Sequence, residues 1–520
     1  MKRITALLLA VAFTFGSVAA AQADGIDIKV KGQWDFAFGI VKNRGFRDFG
    51  NTSQERLRGN LTRVDRRRDD DNFEARQRVR TQINFISSEY LQAVLMFEIG
   101  DLDWGRNPGG RTSGRSSGGA LDADGVNVET KRAYLDWIIP NTEVSVRMGI
   151  QGLKLPSTRL GNVVFDADVA GIVVSSPITD WISITGFWLR PFDQYQNDGE
   201  GFSFGGNDNF ADEVDLFGVV VPFSFEGWNI TPWAMYGMIG ANSGIFDYMY
   251  NGDYTNTVYS ENQSTNAWWV GLNAELNFWD PLLIGIDAMY GRMNRVHAGG
   301  FGHVYNAATD TMVDPGFNAG REMMTAGWYV GATVDYKFDW GTPGIFGWWA
   351  SGDDANSFDS GRMGRLPVLG TDGGFTATSF GTAGYWGIGN GGNAAGVTNT
   401  ATGTWGVGIQ IADVTFIEDL SHTLRVAYYR GTNDSDLVDR PGRERNIMPY
   451  ASDSLYLTTK DSVIEVNFDH TYKIYENLTA VLELGYLHVK TDKDVWGGNN
   501  SQWDDSDDAW KAEINFRYSF

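Results

Sequence analysis

Side chains of alternating polarity recur along most of the chain. Ile26, Ile28, Val30, Trp34, Phe36, Phe38 and Ile40 share one parity, while Asp27, Lys29, Lys31, Gln33 and Asp35 take the other. Successive side chains of a β-strand point to opposite faces, so this spacing predicts a strand with one apolar and one polar face. The same spacing returns over residues 268–278, 328–338 and 510–520. Tight turn signals such as Pro140-Asn141, Glu226-Gly227 and Asp280-Pro281 separate the strands pairwise. Long polar connections fall between them, near 41–72, 101–125, 152–168, 191–211, 241–265, 293–324, 352–402, 431–456 and 490–507. These connections imply about 18 strands, with about 16 as the other count; either even number returns both chain ends to one side. Alternation is short or blurred over 169–176 and 344–351.

A soluble β-sandwich alternates too, because its strands are half buried. Two features favour a transmembrane antiparallel β-barrel instead. Aromatic residues gather toward strand ends, as interfacial girdles require, and short turns alternate with long loops. Composition agrees with a protein that meets two solvents. The 520 residues include 19 Trp, 21 Tyr, 31 Phe and 64 Gly, yet mean hydropathy is only -0.27. The absence of cysteine excludes disulfide frameworks and thiolate metal sites. A formal charge of -23 argues against nucleic acid as a partner, since phosphate binding draws on basic groups. Lys2 and Arg3 before the apolar run 4–15, then Ala21-Gln22-Ala23, predict a cleaved signal peptide over residues 1–23. Residues 24–520 form one barrel domain, and the Gly-rich stretch from Gly370 to Gly403 is expected as a long external loop. No later apolar segment reaches the ~20 residues of a membrane helix, so insertion must be by strands.

The segment 73–85 places Glu74, Arg76, Arg78, Arg80, Gln82 and Asn84 opposite Phe73, Ala75, Val79, Ile83 and Phe85. Arginine on the lipid face near mid-bilayer costs ~2–4 kcal/mol, so three of them belong inside, as a ladder with steps of ~7 Å. Arg147 joins them by parity, as do Lys29 and Lys31 of the first strand. Arg132 also does if Leu135 and Trp137 face lipid, although Val126 and Val128 carry the other parity, which a bulge would reconcile. Residues 151–168 are unusually apolar for a solvated loop, with Leu153, Leu155, Leu160, Val163, Val164 and Phe165 beside Asp166 and Asp168. Such a loop is expected to fold into the lumen. The bland reading of the arginines is that they only satisfy interior carboxylates such as Glu74.

Taken in order, the leader, the immediate first strand, the turn and loop alternation, the inward third loop, the basic wall and the terminal Phe520 resemble Gram-negative outer-membrane porins. More narrowly, the chain is similar to the homotrimeric porins of sulfate-reducing bacteria. The resemblance implies passive diffusion of small hydrophilic solutes and ions, a homotrimer in outer-membrane lipid and lipopolysaccharide, and no cofactor. It also implies an acidic constriction role for Asp166 and Asp168 and a basic one for Arg76, Arg78, Arg80, Arg132 and Arg147. Phe516, Tyr518 and Phe520 resemble the signal read by the barrel assembly machinery. One departure is the strand count, which exceeds the usual ~16 of general porins and leaves similarity to ~18-stranded solute-specific channels.

Catalysis finds little support. Five histidines, His297, His303, His422, His470 and His488, lack a nucleophile motif, which makes an outer-membrane hydrolase a poor second class. His470 and His488 share parity with apolar residues near strand ends and are expected at the interface. Acidic runs such as Asp69-Asp70-Asp71 and Asp504-Asp505 miss the EF-hand spacing and are read as solvated loop, not as a metal site. A plugged transporter needs a domain before the barrel, where strand alternation already begins. A solute-specific channel predicts a track of lumen aromatics, for which Trp188, Trp233 and Trp269 are candidates. Ion preference is divided: net charge favours cations at the outer mouth, and the ladder favours anions at the narrowest point.

Overall fold

In the computed structural model the chain is described over residues 25–42, 72–105, 128–193, 213–240, 243, 258–259, 264–299, 304–306, 311–313, 321–371, 401–438, 457–496 and 508–520. The leader expected at residues 1–23 lies outside these. Eighteen antiparallel strands make one closed wall. In chain order they are β1 (Asp27–Lys42), β2 (Asn72–Ser88), β3 (Leu91–Asp103), β4 (Val128–Ile138), β5 (Ser145–Lys154), β6 (Phe165–Thr179), β7 (Ile182–Asp193), β8 (Glu213–Val220, resuming as Phe223–Phe225) and β9 (Trp228–Ile239). The second half comprises β10 (Thr265–Trp279), β11 (Leu282–Gly299), β12 (Arg321–Tyr336), β13 (Thr342–Ala350), β14 (Thr404–Ile417), β15 (Leu420–Gly431), β16 (Ser462–Tyr475), β17 (Leu478–Lys490) and β18 (Ala509–Ser519).

Each strand pairs with its neighbours in sequence, and β1 pairs with both β2 and β18, which closes the ring. At the seam Gly32 and Phe520 exchange backbone hydrogen bonds of 2.9 and 3.0 Å. Phe520 also lays its ring where a side chain on residue 32 would stand. Tight turns such as Asp180-Trp181, Glu226-Gly227, Asp280-Pro281 and Glu418-Asp419 join strands at one end. The long connections leave from the other end. Closure removes the open edges that an isolated sheet would present.

The outer surface is the apolar parity predicted from sequence. Val270, Leu272, Val330, Val407, Ile409 and Ile514 are exposed on it, while Asn273, Asp287, Asp335, Gln410 and Glu513 of the opposite parity are buried inside. Aromatic girdles mark both rims. Trp268, Tyr290 and Trp328 adjoin at 5.1 and 4.5 Å near the loop end. Phe225 stacks on Trp228 at 4.2 Å and Phe338 on Trp340 at 5.5 Å near the turn end. Rings at these depths match the headgroup level, and their spacing along the strands gives the lipid band its height.

Inside, the wall divides into two kinds of surface. From β6 round to β14 the inward side chains are largely apolar and covered by loops. Leu155, Leu160, Val163 and Val164 of one connection and Met363, Leu366 and Leu369 of another pack with Trp269, Met289, Tyr329, Phe346 and Trp348. The large rings fit because a glycine on the adjoining strand leaves them room: Trp348 lies over Gly406 and Phe187 over Gly218. The connection expected as an external loop over 352–402 is thus partly internal. Among its described residues, 351–371 fold inward, and Asp353 holds Arg365 at 2.8 Å at the bend. Residues 372–400 lie outside the described residues. From β15 through β18 to β3 the inner surface instead sets ion pairs among apolar residues such as Tyr429, Val463 and Val481.

Candidate functional site

The third long connection enters the barrel, as its apolar content requires. Strands β5 and β6 extend further than the sequence suggests, so the loop proper is residues 155–164. It reaches across to β11, β12 and β14. Thr158 donates its backbone N–H to both oxygens of Asp287 at 3.1 and 2.9 Å and its hydroxyl to Oδ2 at 2.6 Å. Asn273 donates to the same carboxylate at 2.9 Å. Arg159 meets Asp335 through two nitrogens at 2.8 and 3.0 Å and reaches Gln410 at 3.2 Å. Its guanidinium also stands over the Phe346 ring, 5.2 Å from the centroid. A bidentate pair fixes direction as well as distance, so this arginine can only lie across the lumen.

The loop holds its own shape through Asn162. That side chain is fully buried, donates to the Pro156 carbonyl at 3.0 Å and accepts from the amides of Val164 and Phe165 at 2.9 and 3.0 Å. The second inward segment braces it, since the Leu369 amide donates to the Val164 carbonyl at 3.1 Å. Trp269 fastens that segment in turn by donating to the Pro367 carbonyl at 2.8 Å.

The arginine ladder faces the interior on β2. Every rung meets a carboxylate. Arg76 adjoins Glu74 at 2.7 Å, Arg78 adjoins Asp35 at 3.4 Å, and Arg80 adjoins Glu98 at 2.5 Å. Asp35 is also held by Arg517 of β18 at 2.6 Å. The ladder therefore continues across the seam as a network in register, because Asp35 is the direct cross-strand partner of both Arg78 and Arg517. Lys511 reaches Glu483 at 3.1 Å with both side chains almost wholly buried, and Arg425 reaches Asp469 at 3.0 Å.

Other residues singled out from sequence lie elsewhere. Lys29 and Lys31 have the inward parity but sit exposed at the turn-end mouth, Lys29 beside Asp27 at 3.7 Å. Arg147 pairs with Asp136 at 2.8 Å, its direct partner on β4, and covers the Tyr134 ring. The register of β4 against β3 slips between Met96 and Phe97, the bulge that the mixed parity of that strand requires. Lys131 and Arg132 consequently both reach Asp168, at 2.8 and 3.1 Å. Asp166 pairs with Lys154 at 3.2 Å. Both aspartates belong to β6, on the parity of the exposed Ala170 and Val174, while residues 155–164 contain no carboxylate. Trp188 shares the outward parity and donates to Asp215 at 2.9 Å, so it is not a lumen aromatic; Trp233 and Trp269 are inward and buried. Phe516, Tyr518 and Phe520 lie on the lipid side, with Phe516 opposite Phe36 and Tyr518 opposite Trp34. His297 and His303 are expected in the connection over 293–324; His297 instead belongs to β11, which runs on to Gly299, and His303 is outside the described residues.

Sequence reasoning passed over Arg159, Asp287 and Asp335. The parity of Asp335 was readable, but nothing local reveals that its partner is an arginine 176 positions earlier.

A closed ring of even strand number, greasy outside and ionic inside, is a membrane-spanning barrel of the Gram-negative outer-membrane kind. No family model matches the chain, and no curated protein matches it. Among solved structures it is similar to Acinetobacter baumannii OccAB3, at 10% identity over 95% of this chain and 100% of that one, with a TM-score of 0.46. It is similar also to Pseudomonas aeruginosa OccK9 (OpdG), at 13% identity over 95% and 98% of the two chains, with a TM-score of 0.47. The functional reading rests on the barrel's own geometry.

Proposed function

We propose that this chain is a water-filled outer-membrane porin through which small hydrophilic solutes and ions diffuse passively. The observation that carries the reading is the third loop lying inside a closed barrel, tied to the far wall by Thr158 and Arg159, opposite a surface of ion pairs. A loop so placed narrows the lumen, and charged groups facing one another across a narrow section favour polar solutes over apolar ones. By the same proposal the subunits form homotrimers of the kind found in sulfate-reducing bacteria, surrounded by lipopolysaccharide and delivered by the barrel assembly machinery through the strand that ends at Phe520.

Charge selectivity is weak in this reading, because carboxylates neutralise the ladder rung by rung. Planar-bilayer recordings under a salt gradient test it. Wild type gives stepwise conductance with a small reversal potential, and Arg78→Ala, which leaves Asp35 to Arg517 and the neutral Gln33, moves that potential toward cation preference. A protein that gives no steps, or a variant with unchanged selectivity, overturns the corresponding part. A solute-specific channel is the second reading, favoured by the eighteen strands but not by the inward rings of Trp233 and Trp269. Both rings are buried beneath the inward loops, where no passing solute can stack on them. Conductance that saturates with one class of solute would favour the specific channel.

A further inference from the structure

Two histidines on the outside of the barrel form a pair. His422 of β15 and His470 of β16 are direct cross-strand partners, and their Nδ1 atoms stand 2.6 Å apart with the rings edge to face, 82° between planes. They share parity with Leu424 and Phe468, so they project from the lipid side, three residues beyond the turn at Glu418-Asp419. Phe468 packs edge to face on His470 at 4.2 Å, and Val414 and Leu482 are the cross-strand neighbours on either flank. Tyr472, exposed two residues closer to the rim, places the pair at the level of the aromatic girdle, where water reaches.

We propose that this pair is a binding seat for a first-row divalent cation of the zinc, copper or nickel type. Imidazole nitrogen is the ligand those ions prefer. Two imidazoles held at one register by the strand ladder are preorganised, since neither backbone has to move for both to reach one ion. Zinc–nitrogen bonds of ~2.0–2.1 Å require the two Nδ1 atoms to open slightly, a movement that side-chain rotation supplies. In the empty pair one ring donates its Nδ1 proton to the other. On binding, both rings carry their single proton on Nε2 and offer Nδ1 lone pairs, so the pair loses no proton. Among the described residues no group of three or more ligating side chains converges, so water at the girdle completes the coordination. The aliphatic flanks exclude competing carboxylate ligands and leave the ion to nitrogen.

The experiment uses the full-length folded barrel in detergent, without an added histidine tag. Zinc titration by calorimetry is expected to give one site per chain, and copper to give a paramagnetic resonance spectrum with coupling to two nitrogens. His422→Gln and His470→Gln each weaken binding by about tenfold or more, and the double variant binds no better than either. His488→Gln leaves the site intact. Heat-modifiable migration confirms that each variant is folded, and a variant that fails this check is replaced by its Asn counterpart. Binding unchanged in the single variants, one-nitrogen coupling, or no binding by the wild type would each overturn the proposal.

Discussion

The two sides of the lumen keep water from their polar atoms by different means. Between β6 and β14 the chain covers its own wall: the loop at 155–164 and the segment at 351–371 bury Trp269, Tyr329 and Phe346. From β15 to β3 apolar cover is confined to the loop end, where Leu437 and Leu457 join Tyr429, Val463, Leu487 and Val489, and elsewhere charges on neighbouring strands meet in register. Asp35 sits between Arg78 and Arg517, and Lys511 beside Glu483. The first surface is a folded core that happens to lie inside a barrel. Its energy comes from apolar burial, whereas the second depends on every charge keeping its partner.

Substitutions that separate the two walls sharpen this contrast. Trp348→Ala removes a buried ring whose indole donates to Thr404 at 3.0 Å. It should destabilise the barrel by about 3–5 kcal/mol, read from urea unfolding in detergent, with little change in ion selectivity. Lys511→Met leaves Glu483 and Glu513 facing one another across β17 and β18 and should cost a comparable or slightly smaller ~3–5 kcal/mol. Adding Glu483→Leu to it should recover part of that loss, a rescue the packed wall cannot show. If the double variant is no more stable than the single one, the charged wall is not held by pairwise neutralisation. Thr158→Val removes one hydroxyl from the loop anchor and should cost about 1 kcal/mol. Its readout is noisier single-channel current, and quiet traces would mean that the remaining anchors suffice.

The smallest effect lies at the loop-end rim, outside both walls. Asp508 accepts hydrogen bonds from Tyr486 at 2.5 Å and His488 at 2.6 Å. Burial pushes its carboxyl up, but those two bonds outweigh it and hold the group below the usual carboxylate range. A carboxylate lowered in the folded state stabilises the protein above its unfolded value and loses that contribution as pH falls through the lowered one. Asp508→Asn should therefore change only the acid limb of the stability profile, and only slightly, since the cluster is open to solvent.

The lipid-facing parity was legible wherever the inner face meets water or charge, as in β1 and β18. Over 169–176 and 344–351 it blurred for a physical reason. There the inward residues are Val169, Val173, Phe346, Trp348 and Ala350, which pack against loops, so both faces of the strand read as apolar. The arginine ladder could be read from one strand alone, and with it Glu74, the partner of Arg76 on the same strand. Asp35 and Glu98 could not be assigned to Arg78 and Arg80, because that pairing depends on register between strands. The inward third loop showed itself through its apolar content. Its anchors, Thr158 and Arg159, are ordinary polar residues whose partners become visible only once the barrel closes. The acidic role that the resemblance implies falls on Asp166 and Asp168, which lie on the strand that follows, whereas the loop's own charge is Arg159.

The reciprocal bonds between Gly32 and Phe520 are no different from any other rung of the wall. Refolded in detergent, where no assembly machinery has to read a terminal strand, a chain rearranged so that a short linker bridges the two ends, with new ends opened in one of the external connections, should rebuild the same cylinder.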